Sequence, residues 1–417
     1  MKKITLYSFI LITLLAFATS CTTSYDYTSQ DFENVIVIEA TLTNQLKKQE
    51  VKLSRTYKLE NKIPEFETGA TVTISDNIGN TYGFDEVNKI YISANEFKAF
   101  PERTYQLNIT TKDGKSYSSS NEKLPTENNL EAIVPTVATH EGKLGVEIRA
   151  KSFDPTNTSK FYRYEYDESY KVIAPRWISV EAIAEKFAPQ FADPPGQITI
   201  KQRTTEAKTC YSNKESNDII QTSTSNLSED RVDFSVRFIP STDYIIANRY
   251  SILVKQYIQN LESFTFYQTL KEMGGNGSLL SQNQPGFFTG NIKSDDNPNE
   301  KVIGFFDVSA YSEKRIFFNF SDVFPDKPLP EYPYECPYLT EENTKFYTKQ
   351  YCFPDGEFCK GNTLLNSLFT GSIVYYEGYP KTGLVPSDGS VSLTTYPIQC
   401  GDCTSFSSNI KPLFWID

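Results

Sequence analysis

The sequence predicts an all-β protein: an immunoglobulin-like or transthyretin-like β-sandwich on the N-terminal side, followed by a larger β-sandwich domain with one or two short helices and long inserted loops. Residues that favour strands are abundant, with 27 Tyr and 29 Phe among 417 residues. Apolar and polar residues alternate in short runs separated by Gly, Asn, Asp and Pro, which is typical of strands joined by turns. The chain is longer than a domain with a single hydrophobic core usually is, and this indicates two domains.

Residues 1–20 have the organisation of a lipoprotein signal peptide. Two lysines precede an apolar run, residues 4–17, that is shorter than the roughly 20 residues a bilayer-spanning helix needs. Small residues then lead into Cys21, as in a bacterial lipobox, although Ala18 stands where Leu is usual. We therefore expect lipidation of Cys21 as the new N-terminus. The alternative is ordinary cleavage near Ala18, with Cys21 an incidental thiol.

Residues 21–33 are polar and lack apolar periodicity, which predicts a lipidated tether ahead of the first strand. Thr22 is not the Asp that commonly retains lipoproteins at the inner membrane, so we expect the outer membrane. Asp26, Asp31 and Glu33 loosely resemble the acidic stretch of surface-exported lipoproteins in Bacteroidota. The expected location is therefore the outer membrane, lipid-anchored and exposed at the cell surface.

Charge and histidine content exclude several classes of function. The net charge of -11 becomes about -13 without the two lysines of the signal peptide, and no basic run offsets it, so we expect no nucleic-acid partner. His140 is the only histidine, which excludes zinc sites built on several histidines. A Ser-His-Asp or Cys-His arrangement would have to use His140, but its polar surroundings, ATHEGK, predict an exposed turn. We expect no metal site, no cofactor and no catalytic residues.

Residues 34–126 predict the small β-sandwich domain. Turn signals separate its β-branched runs, and Asp113-Gly114 is a typical two-residue hairpin turn. No helical period interrupts the runs, and their number suits an immunoglobulin-like or transthyretin-like sandwich. The strand candidates are NVIVIEATLT, EVKLSRTY, GATVTISD, KIYISAN and RTYQLNITTKDGKSYSSS.

Residues 127–417 predict the larger β-sandwich domain. In the run KFYRYEYDES, Tyr162, Tyr164 and Tyr166 fall on one face of a strand. We interpret this ladder as a wall of the sandwich rather than as a ligand platform. The other strand candidates are KLGVEIRA, RVDFSVRFIP, RYSILVKQYIQ, KVIGFFDVSA and KRIFFNF.

One helix is expected in the larger domain, over LESFTFYQTLKEM. Asn260 can cap its start, and Gly274-Gly275 can end it. We expect its apolar residues to pack on the sheet, because they recur at near-helical spacing. These residues are Leu261, Phe264, Tyr267 and Leu270.

Two long inserts, residues 178–209 and 321–361, interrupt the larger domain. The first carries the loop signal Pro-Pro-Gly, and the second is dense in Pro, Tyr and Cys. Long insertions on a β scaffold are usually where contacts are made, and Tyr offers a large contact area at low entropic cost. The candidate partner- or ligand-facing residues are Tyr332, Tyr334, Tyr338, Tyr347 and Tyr351. The alternative is that these tyrosines only pack the insert onto its own domain.

Six further cysteines, an even number, predict three disulfides in an exported protein: Cys210, Cys336, Cys352, Cys359, Cys400 and Cys403. Six cysteines allow 15 pairings, which the sequence leaves open. Cys352 and Cys359 flank a Pro-Asp-Gly turn, so we expect that pair first. The C-x-x-C of Cys400 and Cys403 lacks the βαβ context of a redox pair and predicts a structural staple. A zinc site using all four of these cysteines is a less favoured alternative.

Three blocks of the sequence carry a family resemblance. The C-terminal segment, CGDCTSFSSNIKPLFWID, has a C-x-D-C-T pair followed by Asn, Lys-Pro and Phe-Trp. A second block joins Cys210 to TSTSNLSEDRV, RFIP and RYSILVKQY, and a third contains GSLLSQNQP, GNI and KVIGFFDVSA. With these blocks the chain resembles the domain-of-unknown-function 4249 (DUF4249) family of Bacteroidota outer-membrane lipoproteins. It departs from that family's pattern at Ser407 and Ser408, where glycines are usual, and at Tyr211, where Trp is usual.

The resemblance implies a lipidated companion of TonB-dependent, SusC-like outer-membrane β-barrels, and it supplies no catalytic residues. We therefore expect a non-enzymatic accessory subunit of such a barrel complex, for nutrient capture or as a structural subunit of outer-membrane protein assembly or export machinery. The expected partners are the barrel, other surface lipoproteins and, through the N-terminal lipid, the membrane. A standalone binding or adhesive lipoprotein is the alternative. A glycoside hydrolase with two carboxylates is less favoured, because nothing ties Glu229, Glu262 and Asp295 together.

Overall fold

The computed structural model describes residues 34–57, 64–186, 196–275, 290–337, 339, 351–352, 359–360, 363–378, 381–385 and 393–417. Within these residues the chain is mainly β, as the sequence predicts, with several sheets and few helices. The predicted signal peptide and tether, residues 1–33, lie outside the described residues.

The first strands form from the alternating runs recognised in residues 34–126. In TVTISD, Val72 and Ile74 are buried while Thr73 and Ser75 are half-buried, as in a strand with one face on a core. The strands are β1 (Ile36–Thr43), β2 (Glu50–Arg55), β3 (Glu65–Phe66), β4 (Thr71–Asp76), β5 (Thr81–Val87), β6 (Ile90–Ser93), β7 (Thr104–Thr110), β8 (Ser116–Ser119) and β9 (Glu122–Lys123).

The remainder of the chain adds longer strands and short helices. The strands are β10 (Ala132–His140), β11 (Lys143–Asp154), β12 (Phe161–Ile173), β13 (Val180–Lys186), β14 (Gly196–Gln202), β15 (Thr209–Glu215), β16 (Ile220–Ser223), β17 (Asp230–Pro240), β18 (Arg249–Gln259), β19 (Ile292–Ser294), β20 (Val302–Asn319), β21 (Tyr351–Cys352), β22 (Cys359–Lys360), β23 (Ile373–Gly378), β24 (Gly383–Val385) and β25 (Leu393–Pro397). The helices are α1 (Leu261–Gly275), α2 (Phe320–Val323), α3 (Thr363–Phe369) and α4 (Ile398–Gly401), and single 3₁₀ turns cover Tyr244–Ile246 and Cys403–Ser405.

Fifteen strands form one large sheet in the order β15-β12-β18-β20-β1-β2-β6-β5-β4-β7-β8-β19. Strands β16, β3 and β9 pair with β12, β2 and β7 beside that path. Two three-stranded sheets, β10-β11-β17 and β13-β14-β24, and two strand pairs, β21-β22 and β23-β25, complete the described strands.

The large sheet runs across the predicted domain boundary at residues 126 and 127. Strand β1 pairs with β20 in parallel, from Ile36 opposite Val302 to Thr43 opposite Ser309. One hydrophobic core also contains buried residues from both sides of the boundary, such as Leu42 and Tyr250. The division into domains 34–126 and 127–417 stays a prediction, while the strand pairing and the core join the two parts directly.

The β1-β20 pairing depends on a glycine. Gly304 has a φ of +150°, and a Cβ atom there would lie 2.2 Å from the carbonyl oxygen of Ile38. Real Cβ atoms do not approach a backbone oxygen so closely, so the two strands lie at this separation only because the side chain is absent.

The β10-β11-β17 sheet packs against the β12-β18-β20 part of the large sheet to form the main sandwich. Tyr162, Tyr164 and Tyr166 are all buried on the inner face of β12, and this confirms the predicted wall. The Tyr164 ring lies 5.9 Å from the ring of Phe234 in β17. Tyr162 donates a hydrogen bond to Asp230 Oδ1 at 2.8 Å, so its buried hydroxyl has a partner.

Helix α1 starts where predicted, and two of the four residues expected on the sheet lie there. Asn260 Oδ1 accepts a hydrogen bond from the backbone N–H of Ser263 at 2.7 Å, which confirms the predicted cap. Ser263 and Phe266 are the buried residues of the helix, whereas Leu261 and Leu270 are exposed. Leu261 and Leu270 are nine positions apart, or two and a half turns, so they lie on opposite sides of the helix. The prediction that the four residues pack on the sheet is therefore wrong for Leu261 and Leu270.

The prediction is confirmed for Phe264 and Tyr267. The Phe264 ring lies 5.1 Å from that of Phe161 in β12. The Tyr267 ring lies 4.7 Å from the guanidinium of Arg163, which is also in β12.

The insert at residues 178–209 is largely a β-hairpin rather than a loop. Strands β13 and β14 pair from Val180 opposite Gln202 to Lys186 opposite Gly196, and β24 extends the sheet. We call β13, β14, β23, β24, β25 and α3 the lobe. Its core is separate from the main core and consists of Ile198, Ile200, Leu364, Leu365, Leu368, Ile373, Tyr375, Val385 and Leu393.

Strand β20 gives the molecule a long axis with two different ends. At the end that we call the tether end, Ile36 pairs with Val302, close to Asn34, where the described chain begins. At the other end, which we call the distal end, Asn319 pairs with Arg249. Val302 and Asn319 are 17 residue steps apart, which at about 3.3 Å per step is up to about 55 Å.

Candidate functional site

The distal end collects the segments that the sequence marked as candidates. Strand β12 runs antiparallel to β18, so its last residue, Ile173, also lies at the distal end, and the lobe follows it. The second insert follows Asn319 at the same end. The C-terminal segment pairs there as well, with Ser408 bridged to Tyr211 of β15. Both inserts and the C-terminal segment therefore emerge from one end of the sandwich.

One disulfide fixes the C-terminal segment to the sheet. Cys210 in β15 bonds to Cys403, with 5.9 Å between their Cα atoms and 193 residues between them in sequence. Both cysteines are fully buried. Asp402 stabilises the turn around Cys403 by accepting a hydrogen bond from the backbone N–H of Thr404 at 2.9 Å.

A second disulfide fixes the second insert. Cys336 bonds to Cys400 in α4, with 5.7 Å between their Cα atoms. The two cysteines of the C-x-x-C thus have different partners, which confirms the staple and rules out an internal redox pair or a zinc site that uses both thiols. Strands β21 and β22 place Cys352 opposite Cys359 in register, and the bond expected between those two stays a prediction.

The described tyrosines of the second insert pack against their own chain. Tyr332 is half-buried and donates a hydrogen bond to the carbonyl oxygen of Gln399 at 2.7 Å, and burial raises the pKa of its hydroxyl. Tyr334 is exposed on one side, and its ring lies 4.9 Å from the ring of Phe406. The structure therefore favours a packing role for Tyr332 and leaves Tyr334 accessible.

The other three candidate tyrosines yield no side-chain information. Tyr338 and Tyr347 lie outside the described residues, and only the backbone of Tyr351, in β21, is described. Their expected role in contacts stays a prediction.

The C-terminal residues lie on the outer face of the large sheet. Trp415 is buried, with its ring 5.0 Å from Tyr211 and 5.8 Å from Phe317. The Arg315 guanidinium lies 3.6 Å from the centre of the Phe414 ring, and burial lowers the pKa of that guanidinium. Trp415 therefore tucks against the larger domain, whereas Phe414 keeps one exposed side.

The C-terminal residues also form an ion-pair cluster, which no pattern in the sequence predicts. Asp417 accepts hydrogen bonds from Lys171 at 3.4 Å and from Lys411. The hydrogen bond from Lys411 lowers the pKa of the Asp417 carboxyl. Lys171 lies 246 positions before Asp417, so only the folded chain brings these charges together.

A cleft of about 540 Å³ lies between α1 and the outer face of the large sheet. Its floor holds Arg163, whose guanidinium lies 4.2 Å from the ring centre of Tyr257 and 4.7 Å from that of Tyr267. Glu165 accepts hydrogen bonds from Arg163 and, at 3.0 Å, from the Tyr257 hydroxyl. Burial alone would raise the pKa of Glu165, but Arg163, the Tyr257 hydroxyl and Lys255 together lower it.

Most polar groups on the floor of this cleft have partners within it. Arg163 Nη1 and the Tyr257 hydroxyl both donate to Glu165, and cation–π contacts hold the arginine between two rings. Among the described residues, the buried Nε atom of Arg163 has no hydrogen-bond partner. Charges of both signs, including Lys47, Glu50 and Lys52, line the cleft further out. The contact of Arg163 with Tyr267 positions α1 on the sheet, and the charged side chains around the cleft could bind a polar ligand by hydrogen bonds.

The acids considered for hydrolysis fall in two places. Glu229 forms an exposed ion pair with Arg231. Glu262 and Asp295 line one cleft of about 1340 Å³ beside α1, where Asp295 accepts a hydrogen bond from Ser118 at 2.5 Å. In the same cleft, Lys115 and Tyr117 donate hydrogen bonds to Glu300, and its pKa is lowered even though burial opposes this. Glu300 therefore lacks the raised pKa of a general acid.

His140 lies where β10 ends, and its side chain is exposed, as the sequence predicts. Its Nε2 atom contacts the Glu147 carboxylate, and its ring lies 4.7 Å from the ring of Phe238. The hydrogen bond with His140 is the main reason that the pKa of Glu147 is lowered. These contacts hold the β10-β11 turn in place.

In the described part of the chain, no group of three or more His, Cys, Asp or Glu residues is arranged to hold a metal ion. Among the same residues, no helix has the length and apolar character that crossing a bilayer requires. No curated protein matches the chain.

A family model does match. It is described as a domain of unknown function, DUF4249, and it covers residues 22–315, well over half of the chain. The match includes the strands of the main sandwich and stops within β20, ahead of the second insert and the C-terminal segment. The chain belongs to the DUF4249 family.

Proposed function

We propose that this protein is a non-enzymatic lipoprotein of the outer-membrane surface that acts as an accessory subunit of a TonB-dependent, SusC-like β-barrel complex. In that complex it serves either nutrient capture or, as a structural subunit, the assembly or export of outer-membrane proteins. Cys21 carries the lipid, and residues 22–33 link it to the sandwich. A signal peptide with a lipobox-like end, a β scaffold and disulfides typical of exported proteins support this location.

The length of β20, 18 residues between the tether end and the distal end, is the observation that carries the proposal. A lipid has to sit in the bilayer outside the wall of a barrel. A barrel of 22 strands, spaced about 4.8 Å apart and tilted about 45°, is about 45–50 Å across. Strand β20 alone reaches up to about 55 Å. A molecule anchored beside such a barrel is therefore long enough to place its distal end over the mouth.

The rigidity of the distal end supports the same proposal. The two disulfides and the core of the lobe tie the described parts of the inserts and the C-terminal segment to the sandwich, so these parts offer a partner a preorganised surface. Preorganised surfaces bind with less loss of conformational entropy.

Isolation of the lipidated protein from its native outer membrane in mild detergent tests the proposal. We expect an outer-membrane β-barrel in a fixed ratio to the lipoprotein, identified by mass spectrometry. A Cys21→Ala variant, which keeps the folded residues unchanged, should be released from the membrane and should lose the barrel. Recovery of the wild-type protein without a barrel would contradict the proposal and favour a standalone binding or adhesive lipoprotein.

A further inference from the structure

The last residues of the chain expose an unusual concentration of apolar side chains. Leu413 is 107% exposed, Ile410 75%, Ile416 62% and Phe414 39%. Single exposed apolar residues are common on soluble proteins, but contiguous exposed groups mark interaction sites. We call these four side chains the tail patch.

The backbone under the tail patch is held firmly. Trp415, between Phe414 and Ile416 in sequence, is only 5% exposed and packs against Tyr211. Arg249 donates a hydrogen bond to the carbonyl oxygen of Ile416, and Asn409 Nδ2 donates one to the carbonyl oxygen of Glu206 at 2.8 Å. The exposed side chains are therefore presented on an ordered backbone and do not belong to a frayed end.

The surroundings of the tail patch are basic although the chain is acidic, with a net charge of -11. Lys171, Arg249, Arg315 and Lys411 contact the C-terminal residues, and Asp417 is the acid that pairs with two of them. In the described part of the chain, neither Arg249 nor Arg315 has a carboxylate within ion-pair distance. A partner that covers the patch would gain from carboxylates at its rim.

A pocket beside the patch indicates a protein partner. A cavity of about 310 Å³, lined by Lys171, Arg249, Leu329 and Asp417 among others, opens next to the last residues. Leu329 in this lining is itself exposed. Projecting apolar side chains next to a pocket fit a shaped protein surface, because each side receives side chains of the other.

We infer that the tail patch is the docking surface for the outer-membrane β-barrel, which it contacts through an apolar pocket bordered by Asp and Glu side chains on the extracellular loops of the barrel. This inference rests on the proposed function, from which it takes the barrel. It adds the part of the chain that makes the contact and the chemistry of the opposing surface. The position of the patch at the distal end agrees with a molecule that lies across the mouth of a barrel.

Site-directed variants of the lipidated chain test the inference in the native outer membrane. Leu413→Asp places a charge at the centre of the patch, and because Leu413 is fully exposed the melting temperature should not change. Ile78→Asp is the matched control, since Ile78 is 61% exposed in a turn of the N-terminal strands. The quantity measured is barrel recovered per lipoprotein, by quantitative mass spectrometry after mild-detergent purification.

We expect Leu413→Asp to lower barrel recovery at least tenfold and Ile78→Asp to leave it unchanged. Higher salt should weaken the wild-type contact, because charges at its rim are screened. Equal barrel recovery with Leu413→Asp and wild type would overturn the inference while the proposed function stands. Absence of the barrel from the wild-type sample would remove the proposed function and the inference with it.

Two further measurements separate other occupants of the patch. In the first, unlipidated protein, residues 22–417, is mixed with vesicles of phosphatidylethanolamine and phosphatidylglycerol. If the protein binds the vesicles and Leu413→Asp abolishes that binding, the patch belongs to lipid and the inference is overturned. Sedimentation of the same protein reports self-association. A dimer that Leu413→Asp disrupts would assign the patch to a second copy and would equally overturn it. We expect no patch-dependent binding in either measurement.

Discussion

Glu168 lies fully buried between the two sheets of the main sandwich, where a carboxylate is stable only with partners. Arg237 in β17 donates from Nε and Nη2 to its two oxygens at 3.2 and 3.3 Å, and the Tyr250 hydroxyl donates to Oε2 at 2.7 Å. The hydrogen bonds from Arg237 cross from one sheet to the other, whereas Tyr250 lies on the strand next to that of Glu168 in the large sheet. The hydrogen bonds between Arg237 and Glu168 therefore fix the relative position of the two sheets at one buried site.

Arg237→Met should destabilise the protein by about 3–5 kcal/mol, because it leaves the buried Glu168 carboxylate without its cation. The free energy of unfolding in urea measures the loss. Arg231→Met is the matched control, since Arg231 and Glu229 form an exposed pair that contributes about 1 kcal/mol or less. Equal effects of the two substitutions would contradict a special role for the Glu168 site.

Asp154 orders the turn after β11. Its hydrogen bonds also make part of the protein's stability dependent on pH. Its carboxylate accepts hydrogen bonds from the backbone N–H groups of Thr156, Thr158 and Ser159 at 2.8, 3.0 and 2.8 Å. Burial alone would raise the pKa of Asp154, but these hydrogen bonds and that of the Thr156 hydroxyl hold it well below 3.8. The stabilisation is therefore complete above the unfolded pKa of 3.8 and is lost as the pH falls through the folded pKa.

Asp154→Asn should be less stable than wild type by about 1–2 kcal/mol at pH 7, because charge-assisted hydrogen bonds are replaced by neutral ones. The difference should shrink as the pH is lowered below 4, because the carboxylate of the unfolded state takes up a proton there while that of the folded state stays charged. Urea unfolding at several pH values measures it, with Asp85→Asn in the exposed part of β5 as the control. A difference that is constant across the pH range would contradict the argument.

At the scale of elements, the joint between β1 and β20 depends on Gly304. Gly304→Ala should destabilise the protein by about 1–3 kcal/mol, because the new Cβ meets the Ile38 carbonyl oxygen and the strands have to move apart. Gly83→Ala in β5 is the control, since no atom lies within 4 Å of its Cβ position. Thermal unfolding of both variants measures the effect, and a melting temperature of Gly304→Ala equal to that of wild type would contradict it.

Disulfide mapping tests the third cysteine pair. Two pairs are fixed by the fold, and the register of β21 and β22 places Cys352 opposite Cys359. Mass spectrometry of peptides from unreduced protein should therefore find a Cys352–Cys359 bond beside the other two. Alkylation of Cys352 and Cys359 without prior reduction would show free thiols and contradict the prediction.

Local patterns in the sequence predicted the strands well and their partners poorly. The alternation in KFYRYEYDES places Tyr162 and Tyr164 in the core whatever strand lies opposite. The partners of Cys400 and Cys403 lie 64 and 193 residues away, and only the folded chain selects them among 15 pairings. The hairpin of β13 and β14 is not evident from the sequence, because a Pro-Pro-Gly loop signal ends at the first residue of β14 and each strand has only seven residues.

The same limit applies to the tail patch. The sequence shows an apolar and aromatic end, of which Trp415 is buried on the larger domain. Which neighbours stay exposed depends on the sheet surface beneath them, where Tyr211 and Phe317 hold Trp415 and leave Leu413 without cover. The alternation of apolar and polar residues within one segment carries no information about the sheet surface on which that segment lies.

At the scale of the whole molecule, the continuous sheet predicts that the N-terminal strands and the remainder of the chain unfold together. The eight-residue ladder between β1 and β20 and the shared core mean that loss of either part exposes apolar surface of the other. Hydrogen exchange followed by mass spectrometry in increasing urea should give one transition midpoint for peptides from residues 36–110 and from residues 143–259. Separate midpoints would instead support two independently stable domains, divided near residue 126. In that case Gly304→Ala should shift only the weaker of the two transitions, whereas in a single cooperative unit it should shift the common midpoint.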